Sequence, residues 1–429
     1  MFRKPGPKDA PKDLQCPQAG QDLRIRVLPA IGEVAAASWD DCAGGAGANP
    51  FTRHAFLSAL EASKSATART GWQPQHLVAE IAGNEGAGAG IVGVVPCYLK
   101  SHSRGEYVFD RGWAEAYEHA GGSYYPKLQV AVPFTPATGH RLMVAPRMAA
   151  GGNVAAIRAA LAEGLVELAK LRDASSVHVT FMTEGEWHAL GARGFLLRTD
   201  QQFHWDNAGF ASFEDFLAAL SSRKRKVIRR ERRDALANGI EVVCLTGSDL
   251  TEAAWDAFFA FYMDTGSRKW GRPYLTREFF SLIGATMANE TLLIMAKRAG
   301  RFIAGAINFI GDGTLFGRHW GAVEQHAFLH FEICYYQAIE YAITHKLARV
   351  EAGAQGEHKL ARGYLPKATY SAHYIADPAF RRAIDDYLKR ERAYVEAAGR
   401  ELLEASPFRK GIGVGTAVDA DLAGEDAGF

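Results

Sequence analysis

TLLIMAKR at 291–298, FIAGAINFI at 302–310 and TLFGRHWGA at 314–322 are three strand-like runs in succession, followed by FEICYYQAIEYAITHK at 331–346 and ARVEA at 348–352. Ala299-Gly300 and Gly311-Asp312-Gly313 supply the turns, because these residue types accept the backbone angles of a tight reversal. Residues 331–346 place Tyr335, Ile339, Ala342 and Ile343 on one face at helical spacing. The order predicts a meander whose last strand feeds a helix that crosses to a closing strand, and so an α/β unit.

Working outward, the spacing predicts a helix over 212–237, a strand at 241–245, and helices near 251–264 and 277–288, the second capped by Thr276. In the first half, Asn49-Pro50-Phe51-Thr52 precedes a helix near 53–63. Strands are expected near 76–82, 91–100 and 106–110. A helix over 154–170, a strand at 177–181, a helix at 184–191 and a strand near 203–205 complete that half. Each half repeats helix, strands, helix, strands, which points to duplication: mixed α/β sheets in two tandem units, 24–210 and 211–405. Pro-, Gly-, Ala- and Asp-rich stretches at 1–23 and 406–429 read as loose tails.

The chain of 429 residues is 48% apolar, enough for a core in each half, and its 49 Lys and Arg against 48 Asp and Glu leave a net charge of +1. That balance excludes a general polyanion binder and moves any interest in phosphates to local patches. Cys16, Cys42, Cys97, Cys244 and Cys334 lack CxxC spacing, so neither a disulfide framework nor a zinc or other metal site is expected. No apolar run is long enough to span a bilayer. A cytoplasmic protein without stable membrane insertion is the expectation, its oligomeric state left open.

Residues 302–308, 315–321, 331–340 and 351–359, supported by NPFT at 49–52, PFTPATG at 133–139, SSRKRK at 221–226 and KWGRPY at 269–274, together resemble a known family. They are similar to the bacterial predicted N-acyltransferases termed peptidoglycan biosynthesis/recognition proteins, relatives of the FemAB-like aminoacyl transferases in the GNAT superfamily. The likeness covers roughly 35–405. It implies two tandem GNAT-like acyltransferase units and transfer of an acyl or aminoacyl group to an amine, with a cell-wall precursor among the acceptors. GNAT proteins that use acetyl-CoA carry a Gly-rich loop before the crossover helix, where backbone N–H groups hold the pyrophosphate. Here AVEQHAFLH at 322–330 has no glycine. No tightly bound cofactor is therefore expected, and the phosphate-bearing donor is an aminoacyl-tRNA or an acyl-CoA, with the missing cradle leaning toward the tRNA.

Amide formation needs a deprotonated amine, a polarised donor carbonyl and a proton for the leaving group. His319, at the end of a strand, has Glu332 or Glu351 in reach; His319 or Glu332 is the expected base, Glu351 a further catalytic candidate, and Arg318 holds an anionic part of a substrate. The loop 353–364 brings Gln355, His358, Lys359, Arg362 and Tyr364 together on flexible glycines, with His358 a further catalytic candidate; His373 is expected to return to the same cleft. Arg225, Lys226, Arg229, Arg230, Arg232 and Arg233 lie on one helical arc suited to phosphates, and Trp270 offers a stacking plane. Each feature has a bland counterpart: a satisfied core histidine, a solvated loop, a solvated helix face. The rival reading of the whole chain is a non-catalytic tRNA-, RNA- or precursor-binding protein that uses the basic run 223–233. Residues 134–141 could close over a cleft, but from spacing alone they read as a connection shaped by Pro and Gly, without catalytic weight.

Overall fold

The computed structural model describes residues 14–15, 23–45, 47–81, 90–270, 273–353 and 356–409. The first half holds strands β1 (Leu14–Gln15), β2 (Leu23–Leu28), β3 (Trp72–Pro74), β4 (His76–Ile81), β5 (Ile91–Val95), β6 (Cys97–Lys100), β7 (Lys127–Val130), β8 (Met143–Val144), β9 (Ser176–Met182) and β10 (Leu196–Asp206). The second holds β11 (Ile240–Leu245), β12 (Thr291–Arg298), β13 (Arg301–Gly311), β14 (Thr314–Ala322), β15 (Arg349–Glu351) and β16 (Leu365–Ile375). They form a small sheet, β1-β2-β4-β5-β8, and a large one, β11-β12-β13-β14-β15-β10-β16-β9-β7-β6-β3.

The large sheet runs through both halves. The boundary expected at 210/211 lies between β10 and the helix Phe213–Ala219, yet β10 pairs with β15 and β16 of the second half, and β16 pairs with β9 of the first. Each half repeats one motif. Strand β14 leads through the helical stretch 329–344 to the parallel strand β15, and β7 leads through the helix Val154–Leu171 to the parallel strand β9. Both faces of the second half are covered, so β12 is apolar on both sides: Leu293 and Met295 join one core, Leu292, Ile294 and Ala296 the other.

Four sequence expectations change. Pro96 cannot donate to a ladder, so the run 91–100 breaks there and its pieces enter different sheets. No strand forms at 106–110, where Gly105 and Tyr107 take positive φ and turn the chain into the helix Arg111–His119. The helix expected over 212–237 is two helices, Phe213–Ala219 and Ser222–Ala235, broken where Leu220 bridges Phe408 and Ser221 N–H bonds the Pro407 carbonyl. Residues 406–409 are thus packed rather than loose; the rest of that tail, like most of 1–23, lies outside the described residues. The 27-residue helix Pro378–Glu404, capped by Asp377, lies on β10 and β16 and was not foreseen.

Gly321 fixes one contact that bears on the site. The helix Glu252–Trp270 lies so close to β14 that a Cβ at Gly321 would stand 2.1 Å from the Phe261 carbonyl oxygen. The next residue, Tyr262, packs edge-on to His319 at 5.1 Å. Gly321→Ala is expected to lower stability by about 2–3 kcal/mol, read from the urea midpoint, because neither backbone can yield.

Candidate functional site

Strands β14 and β15 stay paired only through Phe316 and Glu351; β14 then continues to Ala322 without its partner. Strands β7 and β9 likewise pair through Val130 and Val179 and then part. Because β15 and β16 both run antiparallel to β10, and β9 antiparallel to β16, the carboxyl ends of the two parallel pairs point toward each other. Ligand sites in open α/β sheets form at such ends, where departing loops leave a crevice. The site therefore belongs to both halves.

Glu351 is the last residue of β15 and stands opposite His204 of β10, Oε1 to Nε2 3.8 Å. Both side chains are buried, and Glu351 Oε2 and His204 Nδ1 have no hydrogen-bond partner among the described residues. Burial pushes the Glu351 carboxyl up to about 8, against the pull of Arg349, Arg318 and Arg141. Burial also holds the His204 imidazole well below its ordinary value, as do the charges of Arg349, Lys367 and Lys359. A carboxyl that gains a proton near pH 8, beside a neutral imidazole, suits proton exchange with an amine.

Arg318 is the extra residue of a bulge in β14, where Ile307 pairs with His319 and Asn308 with Gly317. The bulge turns Arg318 and His319 toward one narrow apolar cavity walled by Phe56, Phe134, Phe280 and Phe309. The Arg318 guanidinium donates to the Phe134 carbonyl and the Tyr107 hydroxyl. His319 is pushed down to about 3 by burial and by Arg318, so it stays neutral. The roof is the first-half loop: Phe134 stacks on Tyr274 at 4.7 Å, and the Pro136 carbonyl accepts from Gln202 Nε2 at 2.7 Å.

Of the sequence candidates, Arg318 joins the two parts of the site: it lines the cavity beside His319, and its charge acts on Glu351. Among the described residues no hydrogen bond joins His319 to Glu351 or Glu332. Glu332 is no base for this site: its fully buried carboxylate takes Arg232 at 3.0 Å and Gln337 at 2.7 Å, tying two helices. Arg362 is equally committed, its Nη2 donating to both Glu231 carboxylate oxygens at 2.8 and 2.9 Å and its guanidinium lying over Phe331. Tyr364 is a core residue bonded to the Tyr335 carbonyl. His373 does not return to the cleft. It pairs with Leu196 at the far end of β10, eight residues from His204 or roughly 26 Å along the strand, and bonds His178 at 2.7 Å.

Lys359 lies beside the end of β15, and the neighbouring His358 packs against the Tyr335 and Phe331 rings. The Lys359 ammonium donates to the Ala352 and Gly353 carbonyls at 2.5 and 3.0 Å, just past the end of β15, and burial brings it down to about 8. His358 is exposed and meets the Tyr335 hydroxyl at 3.0 Å. On the basic helix Ser222–Ala235, Arg225 is half-buried and Lys226 and Arg230 are exposed, none with an ion pair among the described residues, whereas Arg229 pairs with Glu214. Arg223 and Lys224, at its start, line a cleft of about 290 Å³ with Tyr336 and Arg362. Gln355 and the side chain of Trp270 lie outside the described residues. Sequence reading missed Tyr107, Gln202 and His204, and gave no catalytic weight to the loop 134–141 that it allowed to close over a cleft; a histidine between Phe203 and Trp205, whose rings both enter the core on the other face, was the available signal.

The family model described as peptidoglycan biosynthesis/recognition, FemAB-like, matches residues 30–410. The chain belongs to the FemAB-like family. Its fold is that of FemX, at 12% identity over 82% of this chain and 98% of that one, with a TM-score of 0.51. Looser likenesses are L-PGS from Bacillus licheniformis, 8% identical over 69% and 86% of the two chains with a TM-score of 0.45, and a tandem GNAT protein from the clavulanic acid biosynthesis pathway, 14% identical over 83% and 99% with a TM-score of 0.42. No curated protein matches the chain. Each half holds a parallel strand pair joined through a helix, and the two units are merged through one sheet. No helix among the described residues is long and apolar enough to cross a membrane.

Proposed function

We propose that this FemAB-like chain transfers an acyl or aminoacyl group from a phosphate-bearing carrier to an amine, with Glu351 as the general base. The observation that carries this reading is the buried Glu351 carboxyl, raised to about 8 and with Oε2 lacking a hydrogen-bond partner among the described residues, at the place where the two units' strand ends converge. Such a group ionises most readily when a cation enters beside it, and an amine acceptor arrives as an ammonium. Glu351 takes the ammonium proton, the freed nitrogen attacks the donor carbonyl carbon, and the carrier oxygen or sulfur departs with the bond electrons and takes up the second proton, which the attacking nitrogen sheds as it becomes an amide. Arg318 keeps a fixed positive charge beside this exchange, and neutral His319 and the aromatic wall exclude water.

The carrier is an aminoacyl-tRNA or an acyl-CoA, neither held as a resident cofactor, gripped by Arg223, Lys224, Arg225 and Lys226. The family's description favours a peptidoglycan precursor as acceptor, which puts the reaction in the cytoplasm. The rival reading, RNA binding without catalysis, is weakened because Arg229, Arg232 and Arg233 of the basic run are spent on acidic partners. The test is to incubate the full chain with acyl-CoAs or charged tRNA and a panel of amines, reading the acceptor's intact mass. A mass gain equal to the acyl group is expected; no transfer from any donor that binds would overturn the proposal.

A further inference from the structure

The gap that opens beyond β14 and β15 has a counterpart beyond β7 and β9, but the second gap is filled. Arg141, 1% exposed, lies in it and donates from Nε to the Thr180 carbonyl at 2.9 Å, on the strand that has just parted. Its Nη2 donates to the Ala137 carbonyl at 2.7 Å, and its Nη1 to the Gly139 and His140 carbonyls at 3.0 and 3.2 Å. Gly139 N–H bonds the Phe181 carbonyl at 3.0 Å, closing the wedge against β9. The backbone N–H groups of Arg141 and Leu142 are held at 2.9 and 2.7 Å by the buried carboxylate of Glu186. One guanidinium thus gathers three carbonyls of a single loop and one of a strand, a fork that only arginine presents.

That loop is the roof of the Glu351 site. Its Phe134 carbonyl receives Arg318, its Pro136 carbonyl receives Gln202, and its Thr138 carbonyl receives Asn49 at 2.9 Å. A Cβ at Gly139 would stand 2.5 Å from Asn49 Nδ2, so the loop has one way to sit. We propose that Arg141 is a positioning residue for the transfer reaction, an inference that rests on the function proposed above: it wedges shut the first unit's strand gap and so fixes residues 133–139 over Glu351. The first unit consequently takes no donor of its own, and one chain binds one donor. The buried Arg141 charge faces two carboxylates, Glu186 and Glu351, and reaches the reacting group through the second.

The test uses the full chain and Arg141→Gln and Arg141→Lys variants. Misplacement of the roof by about 1 Å predicts a fall in kcat of about 100-fold in Arg141→Gln with donor KM little changed. Amide exchange over 133–139 accelerates in both variants. In protein carrying carboxyl-¹³C glutamate, the Glu351 resonance, assigned by its loss in Glu351→Gln, titrates at higher pH in Arg141→Gln and near the native pH in Arg141→Lys. A folded Arg141→Gln with native loop exchange, or with faster exchange but an unmoved Glu351 titration, overturns the proposal, as does a donor stoichiometry of two. Should Arg141→Gln not fold, Arg141→Lys decides: native loop exchange in it is equally fatal. The exchange and titration need no substrate, so failure of the wedge is distinct from failure of the transferase reading.

Discussion

Glu351→Gln is expected to lower turnover by about two to four orders of magnitude while leaving donor binding intact, the loss that follows removal of a positioned general base. In the native chain kcat/KM rises with pH through about 8 as Glu351 ionises; in Glu351→Gln that limb disappears. His319 contributes no limb near its ordinary range, because burial keeps it neutral there. The same carboxyl predicts a stability effect of opposite sign. Its folded-state value lies above its unfolded one, so the folded chain binds the proton more tightly between about 4.5 and 8. The stability this gives is complete below the unfolded value and is lost as pH rises through about 8. Glu351→Gln, which carries no ionisable group there, should therefore melt higher than the native chain at pH 9 and close to it at pH 4. Activity lost together with alkaline stability gained is what a strained functional carboxylate produces, whereas a structural one would lose stability on replacement. Thermal melts at the two pH values, beside the pH–rate profile, decide between them.

The elements of the second half were legible because they rest on local signals. The runs 291–298 and 314–322 are strands β12 and β14 to the residue, and the crossover helix and closing strand follow in the expected order. Those signals say nothing about how the halves meet. That β10 would insert between β15 and β16 depends on pairing between residues about 150 apart, which no local period encodes. The same limit governs the site. Arg318 and Glu351 were readable as polar groups at strand ends, but a carboxylate's partner is set by tertiary packing: Glu332, one turn into a helix, meets Arg232 from a hundred residues upstream. The roof loop 133–139 lay among the segments that carried the family resemblance, and spacing alone made it a mere connection because its polar work is done by backbone carbonyls, which every residue has.

Within the basic helix, two kinds of cation should answer mutation in opposite ways. Arg232 is shared by Glu332 at 3.0 Å and Glu340 at 2.5 Å, and Glu332 is wholly buried. Arg232→Ala strands that carboxylate with only the Gln337 amide, and leaving a buried charge without its partner costs about 3–5 kcal/mol, so the urea midpoint should fall sharply. Arg223, Lys224, Arg225 and Lys226 have no ion pair among the described residues, and they crowd the first turn of a helix whose N-cap, Ser221, makes no side-chain cap. Cations there oppose the helix dipole, so a fourfold change to glutamine should leave stability within about 0.5 kcal/mol or raise it. The same change should weaken binding of the phosphate-bearing donor and flatten its dependence on salt by about one unit of slope per lost phosphate contact. If the fourfold variant binds donor as the native chain does at every salt concentration, the helix is a solvated face and the carrier is held elsewhere. If Arg232→Ala instead weakens donor binding without a loss of stability, the division fails, because Arg232 would then be touching the ligand rather than Glu332. A helix that violates the dipole rule at its start and obeys every pairing rule at its end is anchored by one half and left open for an anion by the other.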